Sequence, residues 1–386
     1  MAEFFAFLLS YETLRVIWWL FIGILLIGFA ITDGFDLGVG TLLPFLGRND
    51  EERRVIINVV GPTWEGNQVW FILGGGAVFA AWPPVYATAF SGFFIALILT
   101  LFAMILRPVG FDYRSKLPDP RWRNFWDWGL FVGGAVPALV FGVAFGNLLR
   151  GVPFHFDADL RAYYTGGFFG LLNPFGLLAG VVSLSMLVMH GAVYLQLRTE
   201  GEIQQRARQM VALAVKVFVG AFALAGLWLL IGVDGYRLDS FAGVAAPSNP
   251  LAKTVVRDGG AWLAQYGQHP WMLLAPLAGF GGAALVWLFS QRQQPGRGFI
   301  ASSLVLAGVI LTAGFSLFPF IMPSSSDPNS SLMVWDATSS HLTLKWMFGV
   351  TVVFLPIVLA YTTWVFSKLR GTVTVAQVRA ADKVMY

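Results

Sequence analysis

Uncharged apolar stretches follow one another along most of the chain, and short polar segments rich in arginine separate them. A bilayer core of about 30 Å takes roughly 20 apolar residues of helix. The pattern therefore predicts about nine spans, at 14–35, 55–82, 84–106, 126–148, 167–197, 211–232, 271–290, 299–322 and 342–367. These are continuous Leu, Val, Ala and Phe runs without the polar alternation of a barrel strand, so they read as helices. The longest stretch outside the spans, roughly 233–270, contains turn signals such as Pro247, Asn249 and Pro250. Residues 1–386 thus read as a single integral membrane domain. Glu3 and Glu12 precede the first apolar run with no basic region before it, so the start of the chain does not resemble a cleaved signal.

Composition sharpens this. Of 386 residues, 57% are hydrophobic and 12% charged, where a soluble domain carries about 25% charged residues. That excludes a water-soluble enzyme, a nucleic-acid binder and a disordered chain. The absence of cysteine excludes a disulfide scaffold, a thiolate metal site and a cysteine nucleophile. The formal charge of +4 is explained by basic loops on one membrane face. Segments 48–54, 107–123, 198–208, 292–297 and 368–383 hold seventeen Lys and Arg, the alternate loops hold six, and Lys216 and Lys345 lie inside spans. The bias predicts an N-terminus outside and a C-terminus in the cytoplasm.

Trp and Tyr cluster near the span ends, as an interfacial belt would. Gly129/Gly133, Gly142/Gly146 and Gly176/Gly180 repeat at four residues, a spacing suited to close helix contacts.

Ionisable groups within apolar spans are costly and mark functional sites with a partner to be found. Asp33 and Asp36 follow an uncharged run and share one helix face. Glu65 lies eleven residues after Arg54, about 16 Å along a continuous helix, which would be near mid-bilayer. Its neighbours are Trp64, Asn67, Gln68 and Trp70. Each acid reads either as a proton carrier or as a neutral, hydrogen-bonded structural group. Among the histidines only His190 lies well inside a span, as a structural hydrogen-bonding group, a ligand or a ligand-lining residue.

The runs LLIGFAITDGFDLGVG, WEGNQVWFILGGGAVFAAWPPVYATAFSGFF, RPVGFDYRSK, YYTGGFFGLLNPFGLLAGVVSLSM and LMVWDATSSHLTL resemble subunit II of the bacterial cytochrome bd quinol oxidase. The resemblance covers essentially the whole chain. It implies an all-α polytopic fold of about nine transmembrane helices, two four-helix bundles plus one peripheral helix. It implies a heme-bearing subunit I that ligates hemes b558, b595 and d, and some members add small single-span accessory subunits. The complex oxidises ubiquinol or menaquinol, reduces oxygen to water and separates charge across the membrane. The isolated chain would not be catalytic. Some members hold a quinone in subunit II, and membrane lipids surround the rest.

By the same resemblance, Glu65 falls on the acid of the family's W-[DE]-G-N-Q motif, a proposed proton-route residue that is commonly Asp. Asp33 and Asp36 match acids at the proposed cytoplasmic mouth of that route. Trp70 matches a tryptophan at the entrance of a proposed oxygen channel. Two other readings stand beside this one: a proton-coupled secondary transporter, and a purely structural partner subunit.

Overall fold

The computed structural model describes residues 2–380; Lys383, one of the basic residues behind the charge bias, lies outside them. After α1 (Ala2–Leu8) comes α2 (Tyr11–Leu46), whose 36 residues open on the Ser10 cap and run for about 54 Å. That length exceeds a bilayer core, and it carries the Asp33–Asp36 segment inside the helix. α3 (Asp50–Val60), α4 (Trp64–Ala81), α5 (Pro83–Gly92), α6 (Phe94–Tyr113) and α7 (Pro120–Arg150) come next. The chain then forms the hairpin β1 (Phe154–Phe156) and β2 (Ala162–Tyr164), and the single turn α8 (Phe168–Leu171). α9 (Pro174–Arg198) and α10 (Gly201–Gly232) lead into the polar stretch 233–270. There β3 (Asp234–Phe241) pairs antiparallel with β4 (Lys253–Gly259), and α11 (Ala261–Gln268) comes after them. α12 (Leu274–Gln291), α13 (Pro295–Leu317), the short pair β5 (Phe320–Met322) and β6 (Leu332–Met333), α14 (His341–Lys368) and α15 (Val375–Ala380) complete it.

Eight helices among the described residues are long and apolar enough to cross a membrane: α2, α6, α7, α9, α10, α12, α13 and α14. The expected span 55–82 is instead two helices, α3 and α4, separated at Gly61–Thr63. Proline at 62 has no amide to donate, and the polar residues Glu65, Asn67 and Gln68 weaken the apolar character of α4 at its start. The run 84–106 also divides, at Phe93, and its second half continues through Arg107 and Pro108 to Tyr113. The span expected from 167 begins at Pro174, where the Asn173 side chain accepts the Gly176 amide at 2.8 Å.

α2, α4, α6 and α7 pack together, as do α9, α10, α12 and α13, and α9 joins the two groups by packing against α2 and α7. α14 touches α2 and α4, and Leu344 is its one buried residue, so it is the peripheral helix. Glycine makes the α7–α9 crossing close. A Cβ on Gly142 would sit 2.6 Å from Ser183 Cβ and 2.7 Å from Gly180 Cα, and one on Gly146 would sit 2.8 Å from Gly176 Cα. Gly133 allows Arg107 of α6 to lie against α7, with Arg107 Cγ at 2.8 Å from an added Cβ.

Candidate functional site

Both acids of α2 are buried and face the first bundle. Arg107 of α6 donates from Nη2 to Asp33 Oδ1 at 2.6 Å and from Nη1 to Oδ2 at 3.0 Å. Neither side chain is open to the surface. The guanidinium lies 5.8 Å from the ring centroid of Trp64, and Trp64 stacks on Phe111 at 5.1 Å. The sequence pattern puts Arg107 in a polar loop. Its helix runs on past Pro108 to Tyr113, so the cation is carried into the bundle, where Asp33 neutralises it.

One turn on, Asp36 accepts a hydrogen bond at 2.8 Å from Asn67 Nδ2 of α4. Its other oxygen, Oδ1, is buried and has no hydrogen-bond partner among the described residues. Asn67 and Glu65 are two residues apart, about 200° around the helix, so they face opposite ways. Asn67 is buried against Asp36, while Glu65 is exposed on the outward side of this chain. Glu65 stands in the first turn of α4, where unpaired amides stabilise a negative charge. The break at Gly61–Thr63 means its position cannot be reached by counting along one helix from Arg54. Its place is set by α4 packing on α2.

Trp70, one turn beyond Asn67, is buried against α2 at Gly28, where an added Cβ would lie 2.9 Å from its ring. It borders an apolar cavity of about 430 Å³ between α2, α4, α5 and α13, lined also by Gly23, Gly74, Gly75, Tyr86 and Leu317. Gly23, Gly74 and Gly75 have nothing within 4 Å of an added Cβ, so their missing side chains leave this space open. Gln68 is half-buried, on neither the Asn67 nor the Glu65 contact.

His190 is fully buried in the other bundle. Its Nδ1 meets Ser302 Oγ at 2.7 Å, its Nε2 meets Ile31 O at 3.0 Å, and Phe299 stacks on the ring at 4.7 Å. Both ring nitrogens are engaged, which favours the structural reading. Among the described residues no group of three or more His, Asp or Glu could hold a metal ion.

The arginine-rich end is tied down by ion pairs. Arg114 and Arg53 both meet Asp127, at 2.5 and 2.7 Å. Arg114 and Arg123 meet Asp50, and Arg206 meets Glu52 at 2.7 Å. The acids of the first turn of α3 thereby gather cations from the turn after α6, from α7 and from α10. Burial acts to raise the Glu52 carboxyl, but the Arg206 guanidinium and the Arg48 amide more than offset it and hold it below the ordinary range. Arg114, in the turn that directly follows α6, lies seven residues after Arg107, about two helical turns on. Arg114 at this end and Arg107 at Asp33 are thus two buried, paired cations about two turns apart.

The family profile described as cytochrome bd terminal oxidase subunit II matches residues 14–369. The chain belongs to that family. It is 55% identical to the cytochrome bd-I ubiquinol oxidase subunit 2 of Escherichia coli K12, over 98% of this chain and all of that protein. It is 34% identical to the cytochrome bd ubiquinol oxidase subunit 2 of Bacillus subtilis 168, over 94% of this chain and 97% of the relative. A solved bd oxidase from Geobacillus thermodenitrificans superposes with a TM-score of 0.68 at 15% identity, covering 92% of this chain and 98% of that one. At that identity the likeness speaks for the fold alone. Membership of the family makes this a multi-pass subunit of a terminal oxidase, an oxidoreductase complex that includes a partner subunit.

Proposed function

We propose that the chain works with a heme-bearing subunit I in a bacterial inner membrane, oxidising ubiquinol or menaquinol and reducing oxygen to water. Hemes b558, b595 and d would belong to subunit I. This chain's interior offers His190 alone among histidines, with both nitrogens engaged, so no step is assigned to a heme on it. Its contribution is access: protons and oxygen must reach a buried site in the partner.

The observation that carries this reading is the division of labour across the first turn of α4. Asp36 holds one oxygen free inside the bundle, Asn67 links it to α4, and Glu65 stands on the outer side. Protons would enter at the arginine-rich end, which the positive-inside rule puts in the cytoplasm, with the N-terminus periplasmic. Asp33, held by Arg107, would fix the charge beside the route, and Asp36 and Glu65 would hold and pass the proton toward subunit I. Hydrocarbon blocks protons unless polar groups and waters bridge it, and Asp36 is a buried acid of the first bundle with an open acceptor. Protons taken from one side for oxygen reduction move charge across the membrane without a pump.

Trp70 would line the approach of oxygen, which needs only an apolar passage. The 430 Å³ cavity beside it fits the ring or the isoprenoid tail of a bound quinone, and Gly23, Gly74, Gly75 and Tyr86 would hold that group by apolar contact. Small single-span subunits would sit elsewhere on the complex.

The test is purification of the chain with its bound partners, and then a visible spectrum. A co-purifying protein with b- and d-type heme bands is expected; its absence would overturn the reading. A second reading, a purely structural partner, draws on the satisfied Asp33–Arg107 pair. It predicts full turnover when Glu65 is neutralised.

A further inference from the structure

α10 carries a cation where its apolar face should be uninterrupted. From Met210 to Ile231 the helix is apolar over about 33 Å, except at Lys216. Lys216 is exposed, and no ion pair or hydrogen bond of its side chain occurs among the described residues. It lies six residues, about 9 Å, inside the run. An ammonium left in hydrocarbon is costly, so it needs either water or a counter-charge.

Direction decides which. Side chains on a helix lean toward its N-terminus, and the N-terminus of α10 lies at the arginine-rich end beside Glu52 and Arg206. The four-carbon stem of Lys216 can therefore carry its ammonium back toward the interface, along the apolar surface. Gln205 and Gln209, eleven and seven residues earlier, fall on the same exposed face. Arg208, a quarter turn away, is half-buried, and its Nε lies inside the chain rather than on this face. α10 packs chiefly against α9 and α12, and Lys216 stands on the face those helices leave exposed. Around Lys216, Leu213, Val217 and Leu224 are exposed, and Gly220 leaves a shallow gap between them.

We propose that this face of α10 binds an anionic phospholipid, its phosphate held by Lys216 with Gln209 at the headgroup level and an acyl chain lying along Leu213, Val217 and Gly220. A carboxylate on a partner helix is the poorer occupant, because it would have to sit in hydrocarbon to meet the cation, whereas a lipid phosphate is already at the depth the ammonium reaches.

The experiment is native mass spectrometry of the whole oxidase complex after exchange into phosphatidylglycerol or phosphatidylcholine nanodiscs. The wild-type complex is expected to retain one phosphatidylglycerol over phosphatidylcholine by about fivefold, the preference one interfacial lysine supplies. Lys216→Arg keeps that preference. Lys216→Leu and Lys216→Gln lose it while the heme spectrum stays normal, and excess inorganic phosphate displaces nothing from the wild type. Equal retention in Lys216→Leu or Lys216→Gln overturns the proposal. So does displacement by inorganic phosphate, or a Lys216-dependent loss of a small polypeptide instead of a lipid.

Discussion

Arg107 grips Asp33 with two hydrogen bonds, at 2.6 and 3.0 Å, in the interior of the first helix bundle. Removing one partner of such a pair strands the other charge, at a cost of about 3–5 kcal/mol. Asp33→Asn and Arg107→Gln should each lower the yield and the unfolding temperature of the purified complex sharply. The double substitution should cost clearly less than the two singles together, because no net charge is stranded. Additive losses in a thermal unfolding series would show that the two side chains do not act as a pair.

The α7–α9 crossing depends on missing side chains. Gly142→Ala places a Cβ within 2.7 Å of Gly180 Cα, and overpacking of this kind costs about 1–3 kcal/mol. Gly220→Ala, whose Cβ meets nothing within 4 Å, should be neutral. Comparing unfolding temperatures of the two variants in detergent checks this.

Much of the fold is legible in the residues. Hydropathy locates the long helices, and the glycine spacing anticipates the Gly142/Gly146 and Gly176/Gly180 contact. A continuous span over 55–82 does not form, because counting apolar residues gives too little weight to Pro62 and to the polar cluster from Glu65 to Gln68. Arg107 reads as a loop residue because it stands at the end of an apolar run. The apolar residues Val109 and Phe111 beyond it, and the uncompensated Asp33, are the signals that point the other way. No one-dimensional pattern supplies the pairing across helices: that Asp33 faces α6, that Asp36 faces α4, and that Glu65 and Asn67 part company within one turn.

Acid should loosen the arginine-rich end. Glu52, 2.7 Å from Arg206, is held below the ordinary glutamate range in the folded chain. A depressed folded-state pKa means the contribution is fully present above the unfolded value, and is lost as pH falls through the folded one. The unfolding temperature of Glu52→Gln should therefore lie below wild type at pH 7, and the gap should close below about pH 4. A gap that persists in acid would assign the effect to packing.

The cavity beside Trp70 gives a separate handle. Gly74 lines it with nothing within 4 Å of an added Cβ, so Gly74→Leu should fill space without breaking the helix. If a quinone occupies the cavity, overpacking costs about 1–3 kcal/mol of its binding, a loss of about 5- to 160-fold. Quinone extracted per heme from wild-type and Gly74→Leu complexes measures it, and equal amounts would place the quinone elsewhere.

In the proposed route, protons leave this subunit through Glu65. The direct measurement is charge movement and quinol-driven oxygen consumption in liposomes holding the assembled complex, with wild type, Glu65→Asp and Glu65→Gln compared at matched heme content. Glu65→Asp should retain most of both activities, and Glu65→Gln should lose about 10²-fold or more of turnover, the usual worth of a positioned proton-transfer group. Unchanged turnover and charge movement in Glu65→Gln would contradict the route.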